Sequence, residues 1–293
     1  MAQDAARQPK TWFITGCSSG FGEALVRRLR AEGDNVIATG RQADVRLAHL
    51  RDTGARVMDL DVSAPEAVIR AKVEEAWGVF PGGVDVVVNN AGYVLSALTE
   101  DLTQEKTEES FRTNFHGPMN ITRAFLPFLR KKGTGTLLYL GSQAAWHADP
   151  SAGAYCASKA ALSMAVECLS KELAFVAPGL KVLILEPGYF RTEVFVKITH
   201  PHPPPRATDA ALTAFDEAVR AGESQIHGTE PGDPAKAVER MVELVRGTGM
   251  AEGREVPLRV PLGTDGLERI KGKCEGVLEV CKEWEDVARS TDW

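Results

Sequence analysis

The most constraining stretch of the chain lies near its start, where an unbroken apolar run meets a cluster of glycines and then a helical pattern. Thr11-Trp12-Phe13-Ile14 shows no polar alternation, which fits a strand buried on both faces of a parallel sheet. Thr15-Gly16-Cys17-Ser18-Ser19-Gly20-Phe21-Gly22 follows, and residues 23–32 carry Ala24, Leu25 and Leu29 at helical spacing before Gly33 stops the helix. In that order the three pieces put backbone N–H groups and a positive helix end where a pyrophosphate binds. Gly-x-x-x-Gly-x-Gly alone is a weak signal, and a plain tight turn is the competing reading. The flanking strand and helix favour the phosphate.

The same alternation continues down the chain. Asn35-Val36-Ile37-Ala38-Thr39 reads as a second strand, residues 43–52 as a short helix, and Arg56-Val57-Met58-Asp59-Leu60 as a third strand that exits through Asp61-Val62. A helix over 65–77 opens with Pro65, as helix starts prefer. Val84-Asp85-Val86-Val87-Val88 is a fourth strand ending in Asn89-Asn90-Ala91-Gly92, residues 134–140 a fifth, 181–185 a sixth and 256–260 a seventh. Strands alternating with helices over short connections predict an α/β fold, a doubly wound Rossmann-type parallel sheet of seven strands flanked by helices, in one domain over 10–262. Residues 1–9 are expected to be disordered. Residues 189–232 break the alternation and read as a lid insertion, and 263–293 as a helical tail with Cys274 and Cys281 seven apart on one face.

Composition narrows the function by exclusion. Of 293 residues, 44% are hydrophobic and 25% charged, enough for a sizeable core, and the net charge is -6 with Lys and Arg dispersed. A dispersed, net acidic pattern offers no phosphate-neutralising patch, which argues against nucleic acid as a partner. No window reaches the ~18 apolar residues a membrane span needs, and the start of the chain has no signal-type apolar core, so a cytoplasmic protein is expected. The five cysteines are scattered and never spaced C-x-x-C, so reduced thiols are expected. His200 and His202 sit among prolines with no acid or cysteine set nearby, which reads as a loop and not a metal site; no metal is expected.

Several residues point to chemistry. Tyr155 and Lys159 are four apart on the apolar helix over 153–176, hence on one face. Two unit charges about 4 Å apart at an effective dielectric of about 20 interact by roughly 4 kcal/mol, and about 1.36 kcal/mol is one pKa unit, so an ammonium there would bring the phenol towards neutral pH. Chance occurrence of Tyr-x-x-x-Lys is common, so the company decides. Ser142 falls beyond the fifth strand, at the end of an open parallel sheet where ligands bind. Asn114 interrupts two apolar helical stretches, as a satisfied core polar group or as a functional break. At the end of the second strand Gly40 stands where an acid would accept the ribose 2′-OH, and Arg41 follows, which suits a 2′-phosphate.

Thr15-Gly16-x3-Gly20-x-Gly22, Asp61-Val62, Asn89-Asn90-Ala91-Gly92, Asn114, Ser142, Tyr155-x3-Lys159 and Pro187-Gly188-x3-Thr192 together resemble the short-chain dehydrogenase/reductase family over about residues 10–260. The opening residues 13–22 look more loosely like its 17β-hydroxysteroid and retinol dehydrogenase branch. The resemblance implies Tyr155 as general acid or base, Lys159 as its pKa-lowering partner that also holds the nicotinamide ribose, Ser142 on the substrate oxygen and Asn114 in a water-linked proton relay. It implies NADP(H) held by Gly16, Ser18, Ser19, Gly20, Phe21 and Gly22 at the pyrophosphate, Arg41 at the 2′-phosphate, Asp61 and Val62 at the adenine, and Asn89, Ala91 and Gly92 beside the adenosine. Tyr155, Lys159, Pro187, Gly188 and Thr192 would line the nicotinamide. Cys17 and Phe21 depart from the smaller or aliphatic residues usual in this loop, and bulky Trp146 and Tyr189 suggest a wall for an apolar or aromatic substrate. The expected reaction is reduction of a ketone on a medium-to-large small molecule to a secondary alcohol, or the reverse, in a homodimer or homotetramer paired through the helix from Gly153. A non-redox cyclase, isomerase or cofactor-binding regulator on the same fold is the alternative.

Overall fold

The computed structural model describes residues 8–200 and 209–293. The expectation for residues 1–9 therefore falls largely outside the described residues, as does His202 with Pro203, Pro204 and Pro205.

In chain order the elements begin with β1 (Thr11–Ile14), α1 (Gly20–Ala31), β2 (Asn35–Gly40), α2 (Ala43–Arg46), β3 (Arg56–Asp59) and α3 (Glu66–Trp77). They continue with β4 (Val86–Asn89), α4 (Gln104–Phe111), α5 (Gly117–Lys132), β5 (Gly135–Leu140), α6 (Gly153–Val176) and β6 (Leu180–Pro187). The last are α7 (Ala210–Ile226), α8 (Pro234–Arg246), β7 (Arg259–Leu262), α9 (Thr264–Glu283) and α10 (Glu285–Arg289). Among the described residues seven strands form one parallel sheet in the order β3-β2-β1-β4-β5-β6-β7. The order runs outward from β1 in both directions, so the chain reverses between β1 and β4 and leaves a crevice at their C-terminal ends.

Both faces of the sheet are covered, which is why its strands lack alternation. Trp12 and Ile14 of β1 pack with Leu25 and Leu29 of α1 and Met241 of α8 on one face. Phe13 points the other way, onto Phe125 of α5 at 4.9 Å edge to face, in a layer shared with Leu162 of α6. Each buried side chain of this size contributes roughly 1.5–3 kcal/mol. Among the described residues no helix is long and apolar enough to cross a membrane.

Several boundaries differ from the sequence expectation. The helix predicted over 43–52 stops at Arg46 and resumes as a 3-10 turn over Ala48–Thr53, because Leu47 (φ -115, ψ 8) leaves the α basin. The seventh strand is Arg259–Leu262 and not 256–260, because the register with β6 runs from Arg259 opposite Ile184 to Leu262 opposite Pro187. The tail helix consequently begins at Thr264 and pauses at Trp284. Asn114 lies in a π turn over Arg112–His116 that joins α4 to α5, so the helix does break where the asparagine stands.

Candidate functional site

The loop between β1 and α1 is held by the end of β4. Thr15 Oγ1 accepts the N–H groups of Asn90 and Ala91, both at 3.0 Å, and Asn90 Nδ2 donates to the carbonyls of Thr15 (2.7 Å) and Gly16 (3.1 Å). This closeness is what the glycines permit. Gly16 has φ +70 and a Cβ there would stand 2.8 Å from Ala91 Cα; a Cβ on Gly22 would stand 2.4 Å from the Gly16 carbonyl oxygen. Cys17 is fully buried with its thiol on the Ile14 carbonyl, and burial pushes it up to about 12, which makes it an inert packing group.

The start of α1 is uncapped from within. Thr103, Asp209 and Asp233 each accept first-turn amides of the helices they precede, whereas Ser19, extended at φ -174, makes no such bond. Its hydroxyl instead accepts from Lys197 Nζ at 3.2 Å. Ser18, Ser19, Gly20 and Phe21 thus surround free first-turn amides, and Thr192 packs over Gly20, its Cβ 3.6 Å from where a Gly20 Cβ would stand. Asn89 at the end of β4 is buried, and among the described residues neither atom of its side-chain amide has a partner. Open amides, an orphaned buried amide and a cradle that a Cβ would fill together fit a dinucleotide's phosphates and ribose. Arg41 is exposed just past β2, beside buried Gly40. Asp61 is occupied by an Asx turn to Ser63 (2.9 and 2.7 Å), and Val62 is buried under Gly117.

Ser142, Tyr155, Lys159 and Asn114 converge at the C-terminal ends of β4 and β5. Asn114 is fully buried: its Oδ1 accepts from Tyr93 N (3.1 Å) and its Nδ2 donates to Tyr93 O (3.0 Å) and Ser158 Oγ (3.1 Å), while Ser158 donates to the Tyr155 carbonyl (2.7 Å). Asn114 Oδ1 and Lys159 Nζ both close on Gly92, at 3.1 and 3.5 Å from its would-be Cβ. Lys159 Nζ donates to the Leu140 carbonyl at 2.7 Å and stands 5.9 Å from the Tyr155 ring centre.

The electrostatics correct one expectation. Burial pushes the Tyr155 phenol up to about 12, with the Ser142 hydroxyl opposing the rise, and lowers Lys159 to about 8. The chain's own groups therefore do not acidify the phenol. Lys159 points at a backbone carbonyl and its charge is itself disfavoured by burial, so the attraction expected at about 4 Å is not realised.

On the far side of Ser142 two residues read as substrate wall are held by partners the sequence did not announce. Trp146 Nε1 donates to Glu186 (2.9 Å), with the Arg259 guanidinium 4.0 Å over the ring and paired to the same carboxylate. Tyr189 OH donates to Asp149 (3.3 Å) and accepts from Arg269 (3.1 Å), which also reaches Asp149 (3.0 Å) and Gln143 (3.3 Å). Pro187 and Gly188 end β6 against α9, where a Cβ on Gly188 would meet the Asp265 carboxylate at 2.4 Å. Asp149, Glu186, Arg259 and Arg269 carry no local signal, since each acts across 40 or more residues of sequence.

Comparison with known proteins agrees with this geometry. The profile of the family described as short chain dehydrogenase matches residues 10–202. The chain is similar to the oxidoreductase BOA17 of Botryotinia fuckeliana, 31% identical over 283 residues (95% of this chain, 98% of that one), and to the oxidoreductase calM of Penicillium decumbens, 30% identical over 280 residues (92% and 88%). Among solved structures it resembles a short-chain dehydrogenase from Streptomyces avermitilis, with a TM-score of 0.82, 33% identity and 100% of both chains covered. It also resembles a serine dehydrogenase complexed with NADP+, with a TM-score of 0.67, 27% identity and 85% and 94% coverage. A sheet that reverses beside a glycine cradle, matched along its whole length by such relatives, has one reading: the chain belongs to the short-chain dehydrogenase family of oxidoreductases.

Proposed function

We propose that the protein is an NADP(H)-dependent reductase that converts a ketone on a medium-to-large, mostly apolar or aromatic small molecule to a secondary alcohol. The observation that carries this reading is the convergence of Ser142, Tyr155, Lys159 and Asn114 beside the glycine cradle. A bound nicotinamide dinucleotide supplies the hydride. The chain's own part is position and protons. Tyr155 donates its phenolic proton to the substrate oxygen, and Ser142 donates a hydrogen bond to that same oxygen. Lys159, an ammonium at pH 7 with its value near 8, stands on the Leu140 carbonyl 5.9 Å from the ring centre of the phenolate that remains, and Asn114 fixes the backbone and Ser158 behind it. The phenol, pushed up to about 12 by burial, is protonated at neutral pH, the form from which reduction draws its proton.

Arg41, with Gly40 in place of an acid, supports a 2′-phosphate contact and hence NADP(H). The loop over 189–199 and α7 form the lid, with Lys197 on Ser19 at its near edge. Exposed Met164 and Phe175 on α6 support pairing of two copies through that helix. The test is NADPH consumption over a panel of ketones. Tyr155→Phe is expected to lower turnover by about 10²–10⁴-fold while NADPH still binds; equal turnover in the two proteins rejects Tyr155 as the proton donor, and NADPH binding with no turnover of any ketone by the wild type puts the non-redox alternative in its place. Arg41→Asp is expected to shift preference from NADPH towards NADH, and an unchanged ratio rejects the phosphate contact.

A further inference from the structure

Beyond β7 the chain leaves the body of the molecule. The first turns of α9 are anchored, with Asp265 accepting the Tyr189 N–H and Arg269 on Asp149, but from residue 275 to the end every residue is exposed. Its face is not polar. Leu267, Ile270, Cys274, Val277, Cys281, Trp284 and Ala288 recur at alternating steps of three and four, the a and d positions of a heptad. Trp284 interrupts the helix, yet its carbonyl still accepts from Ala288 N–H at 3.0 Å, so the phase carries from α9 into α10. Gly272 and Gly276 sit off this stripe facing open space, and each costs about 1 kcal/mol of helix propensity relative to alanine. A helix of this composition is not held by propensity alone and needs a packing partner.

We propose that α9 and α10 form a self-pairing segment that docks antiparallel on the same segment of a second copy of this chain, about a two-fold axis beside residues 278–280. Antiparallel pairing sets a positions against d positions. Cys274 then faces the partner's Trp284, Val277 faces the partner's Cys281, and Ile270 faces the partner's Ala288. That register explains the residues outside the stripe. Leu278 and Val280, 67% and 57% exposed, fall at the axis on the two flanking edges, each against its own copy, where they widen the apolar contact. Lys271 falls opposite the partner's Glu285, and symmetry makes that pair twice. One sequence thus supplies layers, edges and charges that complement themselves, as an isologous contact demands. A membrane surface suits the helix less well, because its polar side carries Glu268, Glu275, Glu279, Glu283 and Asp286 against Arg269, Lys282 and Arg289.

The test uses the full chain in sedimentation velocity over a dilution series, with Leu278→Lys, Leu278→Glu and their equimolar mixture. Each variant alone places like charges at the axis and is expected to weaken one association step at least tenfold, while association through α6 is untouched; the mixture places opposite charges there and is expected to restore the step. Thermal melts matching wild type establish that each variant is folded. Wild-type association in the single variants, or a mixture that stays apart, overturns the proposal. So does flotation of the wild type with phosphatidylcholine–phosphatidylglycerol vesicles that Leu278→Glu abolishes while self-association persists.

Discussion

The two sides of the cleft are built on different principles. The dinucleotide side is made of backbone brought so close that side chains would collide, locked by Thr15 and Asn90 across one strand pair. The opposite side, where we propose that the substrate sits, is made of long side chains that meet as ions: Arg259 with Glu186 beside Trp146, and Arg269 with Asp149 around Tyr189. Shape holds the first and charge holds the second. A change on the first side should cost fold and cofactor together, whereas a change on the second should alter substrate handling and leave the fold in place.

The largest effect is expected from Gly22→Val. Its Cβ would enter the Gly16 carbonyl at 2.4 Å, a backbone atom that cannot swing aside, so a loss of about 3 kcal/mol of stability and of NADPH binding is expected, read by urea unfolding and fluorescence titration. Normal binding in that variant would break the contrast. The seam between the two sides is tested by pH. Lys159 is held near 8, below its usual range, so the folded state sheds its proton first and this group's contribution to stability rises with pH between about 8 and 10, opposed above about 9 by the Cys17 thiol that burial holds near 12. Tyr155 is held near 12, so the folded state keeps that proton longer and stability falls again between about 10 and 12. Lys159→Met should remove the rise and keep the fall, measured as urea midpoints across that range. The smallest effect is expected from Arg269→Gln, which should raise KM for a bulky ketone about tenfold, with the NADPH dissociation constant unchanged.

The same contrast decides what was legible in the sequence. Gly16, Gly22 and the Asn89–Gly92 run are readable because a tight turn between a strand and a helix admits few residues, and the period of the strands announces a sheet covered on both faces. Tyr155 and Lys159 are readable as a pair through helical spacing. The sign of their electrostatics is not, since it depends on the burial of both groups and on Lys159 finding the Leu140 carbonyl. Arg269 and Arg259 look like solvated charges in the chain, because their partners lie 73 or more residues away and only the packing of β7 and α9 against β6 delivers them.

The π turn at residues 112–116 has a consequence for how this helix tolerates change. One surplus residue wound into an α-helix rotates everything after it by about 100°; here the wide turn absorbs that surplus locally, so the faces of α4 and α5 keep their separate phases. Removing a single residue such as Thr113 would let the coil tighten and swing the Asn114 amide away from Tyr93 and Ser158, a deletion that shortens the chain by one link yet disconnects the loop after β4 from α6.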